Sequence, residues 1–587
     1  MREPAGTGGT LLGELWRLAS SAVLERVGDS SEAQLFKPAS RAVIRMPSNE
    51  KQPAPTGLPL RLFQGQCFPV DAAQTTPKPG VASVGLLSEW AGFTGGRIRA
   101  LEWCPTSLVQ VARSQGTPGG SKRRKTGQAW RHLAVCPYPC GEPPQSGTAV
   151  QRGAGMLQIW RVGVPKAVAS RAAAPPLCVE MYLGLLHGGR VTWDLAWCPA
   201  PAAEAPWCGS AAPSCSPMLG LLAAVHGDGR VAVYGVPDAG TVDATAGPLV
   251  LRPEPTLAAD LGEMMDCMPS CVSWLPIAPF DLLAVGCWGG QVVVLRCNPD
   301  CGEGRLLEPL ATMMGSAFPI RSIAFPPAGE VAEAEDGADR NTVAVAGDEG
   351  RVVVWDIRDV FTPVFEGPSS HKGITAMSWV EGLQFLLTCD DGTVLQAGLS
   401  EPKGPVPPRF VVVAVYQPAQ APLLSCHVTP ERPSNRMMAF SGEDGRVCVA
   451  RVPTVVGETR KINKSKKAGA RHRVTAVSSM AKQGTAMALM GPRELSTAEA
   501  AEPPTLHSQA EKVAALFPDE EIAVPAVRWC PANHRGPEDD PPPCTTRLAA
   551  ADPDDDDDEA PTEPALFFLA SGSGAGLLRV QLLRLPS

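Results

Sequence analysis

The sequence is poor in the features that announce most protein classes. Charged residues fill only 19% of its 587 positions and aromatic residues 5%, with 4 Tyr and 15 Phe beside 13 Trp. No run approaches the roughly 20 consecutive apolar residues that a membrane-crossing helix needs, so no membrane association is expected. The first residues include Glu3 and Glu14 and no basic stretch ahead of an apolar one, so no secretory leader is expected. The 18 Cys are scattered, which reads as the reduced thiols of an intracellular protein. A nucleophile elbow, a phosphate loop and any locally supported acid/base pair are also missing. No catalytic residue, cofactor, metal or small-molecule substrate is therefore expected. The net charge of −8 owes most to one run, Asp552 to Glu559, with seven carboxylates. The remainder is near neutral, which speaks against nucleic-acid binding by the whole surface.

What is abundant is turn chemistry, with 58 Gly and 60 Pro, and beneath it a repeat. A short phrase of alternating apolar residues ending in an aromatic recurs seven times. It reads Ile98, Leu101, Trp103; then Thr192, Leu195, Trp197; then Val272 and Trp274; then Ile320, Ile323, Phe325. Ile374, Met377, Trp379 follow, then Leu423, Cys426, Val428, and Val524, Val527, Trp529. Each copy precedes a hairpin phrase such as LLAAVHGDGRVAVYGV (221–236) or VAVAGDEGRVVVWDIR (343–358). Asp-Gly and Gly-Gly dipeptides supply the positive φ that tight hairpins need. Period-two alternation marks half-buried strands. An aromatic-ended strand, a second strand, a turn and a third strand are three-quarters of a propeller blade. The expected fold is all-β, a seven-bladed WD40 propeller over 81–587, closed by strand 83–90 pairing with the last blade.

The chain is longer than seven blades of roughly 40–45 residues require. The surplus falls in Pro/Ala/Ser-rich insertions at about 106–130, 140–155, 199–218, 237–268, 328–340, 454–472, 484–520 and 532–563. Residues 1–80 read as a separate, mostly disordered low-complexity extension. Its one ordered candidate is an amphipathic helix at 11–27, with Leu11, Leu12, Leu15, Trp16, Leu18, Val23 and Val27 on one face.

VWDIR at 354–358, with Asp348 before the turn, matches the WD-repeat signature. HGGRVTWDLAWCP (187–199), LGLLAAVHGDGRVAVYGVP (219–237), FDLLAVGCWGGQVVVLR (280–296) and FPIRSIAFPP (318–327) follow in an order that resembles the WD-repeat subunit of general transcription factor IIIC. That resemblance implies a nuclear, non-enzymatic scaffold in a complex that supports RNA polymerase III transcription of tRNA-type genes. Its partners would be other subunits of the complex, with promoter DNA contacted indirectly or through its backbone alone. The long insertions depart from the pattern.

Two basic clusters are candidate import or phosphate-contacting loops: Lys122, Arg123, Arg124, Lys125, and Arg460, Lys461, Lys464, Lys466, Lys467, Arg471, Arg473. Neither has interleaved aromatics for base stacking. A plain solvated loop is the alternative for each. Trp355, Asp356 and Arg358 are candidate partner contacts. WDIR (355–358) resembles the motif by which substrate receptors of cullin-RING ubiquitin ligases hold their adaptor, the rival function. His132, Cys136 and Cys140 have ligand-like spacing but lack a fourth partner and read as structural. Asp228, Asp348, Asp391 and Asp444 recur at one turn position, as turn formers. The arginines of the recurrent Gly-Arg-Val (229–231, 350–352, 445–447) belong on a shared rim.

Overall fold

A computed structural model describes residues 24–26, 42–45, 58–60, 63–68, 84–105, 129–139, 149–164, 177–199, 218–238, 249–298, 307–327, 341–367, 371–399, 410–416, 421–429, 436–452, 474–483, 486–493, 520–531 and 566–585. These residues form seven separate sheets. The seven recurrent phrases, six of them aromatic-ended, mark the innermost strands: Ile98–Trp103, Thr192–Trp197, Pro269–Trp274, Ile320–Ala324, Ile374–Glu381, Leu423–Val428 and Ala526–Pro531. Each innermost strand abuts the next, and Ala526–Pro531 abuts Ile98–Trp103. The ring closes, and the chain is a seven-bladed β-propeller. We number the blades 1 to 7 in that order. Apart from the short helix Leu261–Met265, every named element is a strand.

Second and third strands depart from the expected alternation. Met218–His226 and Leu282–Cys287 are buried at every position. A blade is sandwiched between two others, so both faces of its inner strands lose water and the sequence there is continuously apolar. Trp103 of blade 1, for example, stacks on Phe568 of blade 7 at 5.9 Å between ring centroids. Each such side chain taken wholly out of water contributes roughly 1.5–3 kcal/mol.

The turns between second and third strands use the expected glycines. Gly229, Gly290, Gly350, Gly392, Gly445 and Gly576 all have positive φ. At Gly350 a Cβ would lie 2.4 Å from the Lys372 carbonyl oxygen, so both conformation and space require glycine.

In blade 7 the last strand, Leu577–Arg584, pairs antiparallel with Gly85–Phe93, from Leu577 opposite Phe93 to Arg584 opposite Gly85. Head and tail thus share one sheet. Inside it Arg579 and Glu89 form an ion pair, with side chains only 1% and 5% exposed.

The stretch 1–80 contributes short strands to sheet edges. Leu24–Arg26 pairs with Leu249–Pro253, which itself runs parallel to the outer strand of blade 1. Ala42–Arg45 and Leu58–Leu60 extend blade 6, and Gly65–Phe68 extends blade 7. Residues 11–23 of the expected helix lie outside the described residues, and Leu24–Arg26 at its end is extended. Among the described residues no helix is long and apolar enough to cross a membrane.

Candidate functional site

The innermost strands have one edge turned to the central channel, which leaves their backbone groups without a strand partner. Side chains of the preceding blade satisfy many of them. Asp194 Oδ2 accepts from the Val272 amide at 3.0 Å, Ser273 Oγ from Phe325 at 3.2 Å and Ser378 Oγ from Val428 at 3.3 Å. Ser425 Oγ and His427 Nδ1 accept from Val527 and Trp529 at 3.3 and 3.2 Å. In the opposite direction, Trp103 Nε1 donates to the Arg528 carbonyl and Trp197 Nε1 to the Glu102 carbonyl. These matched contacts show that the inner strands run parallel, with their aromatics at one end of the ring.

Three charged groups join this ring. Arg528 Nε donates to Glu102 Oε2 at 2.9 Å. Burial raises the Glu102 and Asp194 carboxyls above their usual range, partly offset by Arg528. Burial beside Arg528 holds His427 near pKa 3, so its neutral ring can accept a proton-bearing amide. The chemistry of this ring is blade-to-blade fastening.

A second polar cluster, not anticipated from sequence, lies where the outer strand of blade 1, which ends at His187, meets blade 2. Thr192 Oγ1 is 3.2 Å from His187 Nε2 and 3.1 Å from His226 Nδ1, and His226 Nε2 is 2.9 Å from the Tyr234 hydroxyl. The imidazoles stack at 4.2 Å. Burial pushes His187 to about 3 and His226 well below its ordinary value. Both rings are neutral at physiological pH and serve as a hydrogen-bonded core. The signal in the sequence was that His187, Thr192, His226 and Tyr234 all fall in two of the four phrases carrying the family likeness.

The two ends of the ring differ. At the turn face, Asp228, Asp391 and Asp444 accept from the amides of Arg230, Thr393 and Arg446. Asp348 instead grips the Arg321 guanidinium through both oxygens at 2.8 Å. Arg230, Arg351 and Arg446 stand on this rim and are ion-paired with Asp228, Glu349 and Asp444. The opposite, aromatic face is where first and third strands end.

Lys122, Arg123, Arg124 and Lys125, and Arg460 through Arg473, lie outside the described residues, as does the acidic run 552–559. The strands flanking them are described. Segment 106–128 joins the first two strands of blade 1, 453–473 follows the third strand of blade 6, and 532–565 joins the first two strands of blade 7. All three gaps open on the aromatic face, in adjacent blades.

WDIR occupies two environments. Trp355 is 5% exposed and packs with Val343, Val353 and Ile357 in the core between blades 3 and 4. Asp356 accepts from the Arg358 amide at 3.0 Å and pairs with its guanidinium at 2.5 Å. Only the Asp356–Arg358 end faces solvent. His132 and Cys136 are buried on one strand of blade 1, and burial lowers His132 to about 4 and raises the Cys136 thiol. Cys140 and Cys301 lie outside the described residues. The described cysteines are free thiols, and Cys104, Cys198 and Cys530 are buried. No cluster among the described residues offers three metal-ligating side chains.

No family model matches the chain. Two known proteins do. Over 291 residues, 46% of this chain, it is 26% identical to general transcription factor 3C polypeptide 2 of Pongo abelii. The Homo sapiens protein of that name matches with the same identity and extent. The chain is similar to a transcription factor 3C subunit. The matched stretch covers 28% of those relatives' own length.

Proposed function

We propose that this chain is a non-catalytic scaffold subunit of a transcription factor IIIC-type complex in the nucleus. In this reading it supports promoter recognition and RNA polymerase III transcription of tRNA-type genes. The observation that carries the proposal is the match to general transcription factor 3C polypeptide 2 across nearly half the chain. The channel supports it too: Asp194, Ser425, His427, Glu102 and Arg528 at its wall are committed to backbone amides or to one another, which fits a rigid mount. Other subunits of the complex are the partners, and DNA is reached through them or through backbone phosphates. The basic clusters fit the second route, since Lys and Arg on phosphate give affinity without sequence preference.

Chromatin immunoprecipitation of the tagged chain tests the proposal. Enrichment on tRNA genes, with other factor IIIC subunits in the purified assembly, is the expected result. Absence from those genes ends it. The ubiquitin-ligase reading gains nothing from the relatives, and Arg358 is already engaged by Asp356.

A further inference from the structure

The seven outer edges of the propeller are treated unequally. Strands from elsewhere in the chain extend blades 1, 6 and 7. Blade 2 ends in a four-residue strand, Leu257–Asp260, that runs into the helix Leu261–Met265. Blade 3 ends in Leu307–Met314, which carries Glu308, Pro309 and a register shift. Blade 4 ends in two residues, Phe365–Glu366. Short strands, proline, charge, bulges and covering segments are the devices by which proteins blunt a sheet edge.

Among the described residues, blade 5 has none of these along most of its length. Its outer strand Phe410–Tyr416 reads FVVVAVY, seven residues without proline or charge, and its one register shift falls at the Tyr416 end. It pairs with Val394–Leu399 on one side, and among the described residues no strand pairs with it on the other. Alternate amides and carbonyls of 410–414 therefore point outward.

A second observation meets the first at the same place. Phe361 is 91% exposed and Val364 63% exposed, the most exposed large apolar residues described. Their loop is fixed, because Asp359 Oδ1 accepts from the amides of Phe361 at 3.0 Å and Thr362 at 3.3 Å. The next residue, Phe365, packs on Phe410 with ring centroids 4.0 Å apart. The loop and the open edge are thus one continuous rim of blades 4 and 5.

We propose that this rim docks an extended segment of another polypeptide, which adds a strand along Phe410–Ala414 and lays apolar side chains against Phe361 and Val364. Only a strand satisfies a row of outward backbone groups. The loop's one cation, Arg358, is paired with Asp356 and Asp359 adds a carboxylate, so a nucleic acid does not suit the rim, whereas an apolar segment matches the exposed Phe361 and Val364. A second copy is a poor occupant. Two rigid rings meeting along an edge of about 23 Å bury well under the roughly 1,200 Å² of a stable interface, whereas a flexible segment follows both edge and loop. The three edges already extended by this chain show that its blades accept such strands.

The test uses the full chain and a displayed library of random 12-residue peptides, selected in parallel against the chain and its F361D variant. Peptides with alternating β-branched or aromatic residues and no proline are expected, binding the variant at least tenfold more weakly. On binding, hydrogen exchange of amides in 410–414 should slow at least tenfold while blades 1–3 are unchanged. Phe361 is on the surface, so the variant folds, and Val364→Asp provides an independent check. Selection of charged peptides, equal binding to the variant, protection elsewhere, or no selection above background would overturn the proposal. So would concentration-dependent protection of 410–414 without peptide, which would assign the edge to a second copy.

Discussion

The two faces of the ring are built from the same strands but treat their connections differently. On the turn face, six connections between second and third strands are tight and glycine-centred, and three of them are tied down by Asp228, Asp391 and Asp444. On the aromatic face, the strand ends are held blade to blade by Trp103, Trp197, Ser378 and His427, while long segments leave from between them. Both kinds of connection join antiparallel neighbours, so sheet geometry does not demand the extra length. The aromatic face tolerates insertions because its order is supplied by side chains of neighbouring blades, independently of the loops. The turn face has no such substitute, and its order resides in the turns.

Four experiments press on that difference. The largest effect is expected where neither face is involved, at the closure. Replacing Arg579 with Met strands Glu89 in a buried site and should cost about 3–5 kcal/mol in denaturant unfolding. Replacing both Arg579 and Glu89 by apolar residues should recover most of that loss. A single variant as stable as the parent would show that the closing blade is dispensable.

Acid should weaken the turn-face cluster between blades 1 and 2 next. His187 and His226 are neutral when folded, with pKa values pushed below the ordinary imidazole range, to about 3 for His187. The unfolded chain takes up protons below about pH 6.5 that the folded chain refuses. The stability is therefore complete above that pH and is lost as pH falls towards 3, by up to about 1.4 kcal/mol per unit for each group. His132 and His427, at about 4 and about 3, act in the same sense nearer the aromatic face. Glu102 and Asp194, raised by burial, act in the opposite sense. The cluster's share is read by comparing the pH slope of His187→Gln with that of the parent, and an unchanged slope would discount it.

Gly350→Ala comes third. It places a Cβ against the Lys372 carbonyl at φ +78°, with an expected loss of about 1–3 kcal/mol by thermal unfolding. The smallest contrast sets Asp348→Ala against Arg358→Ala. The half-buried, two-pronged Arg321–Asp348 pair of the turn face should cost about 1 kcal/mol. The more exposed Asp356–Arg358 pair should show no measurable loss. Equal losses would erase the distinction between the faces.

Much of the architecture was legible because it is local. The phrases ending in Trp103, Trp197, Trp274, Phe325, Trp379, Val428 and Trp529 mark the inner strand of every blade, since a repeated geometry asks for the same bulky side chain each time. Glycines before each third strand are legible for the same reason. The roles of Ser273, Ser378, Ser425 and His427 were not. Their partners sit in the next blade, some fifty to a hundred residues on, and nothing local fixes the register between two blades. WDIR shows the reverse problem. Its four letters look like one motif, yet the structure divides them between core and solvent.

Sequence by itself determined how many blades there are and where each begins, because alternation, turn glycines and strand-end aromatics are short-range consequences of strand geometry. Tertiary structure alone decided which polar residues fasten the ring, that Leu249–Pro253 returns to the preceding blade, and which outer edge has no further strand among the described residues. Those outcomes depend on which strands meet across the closed circle, and chain order does not record that.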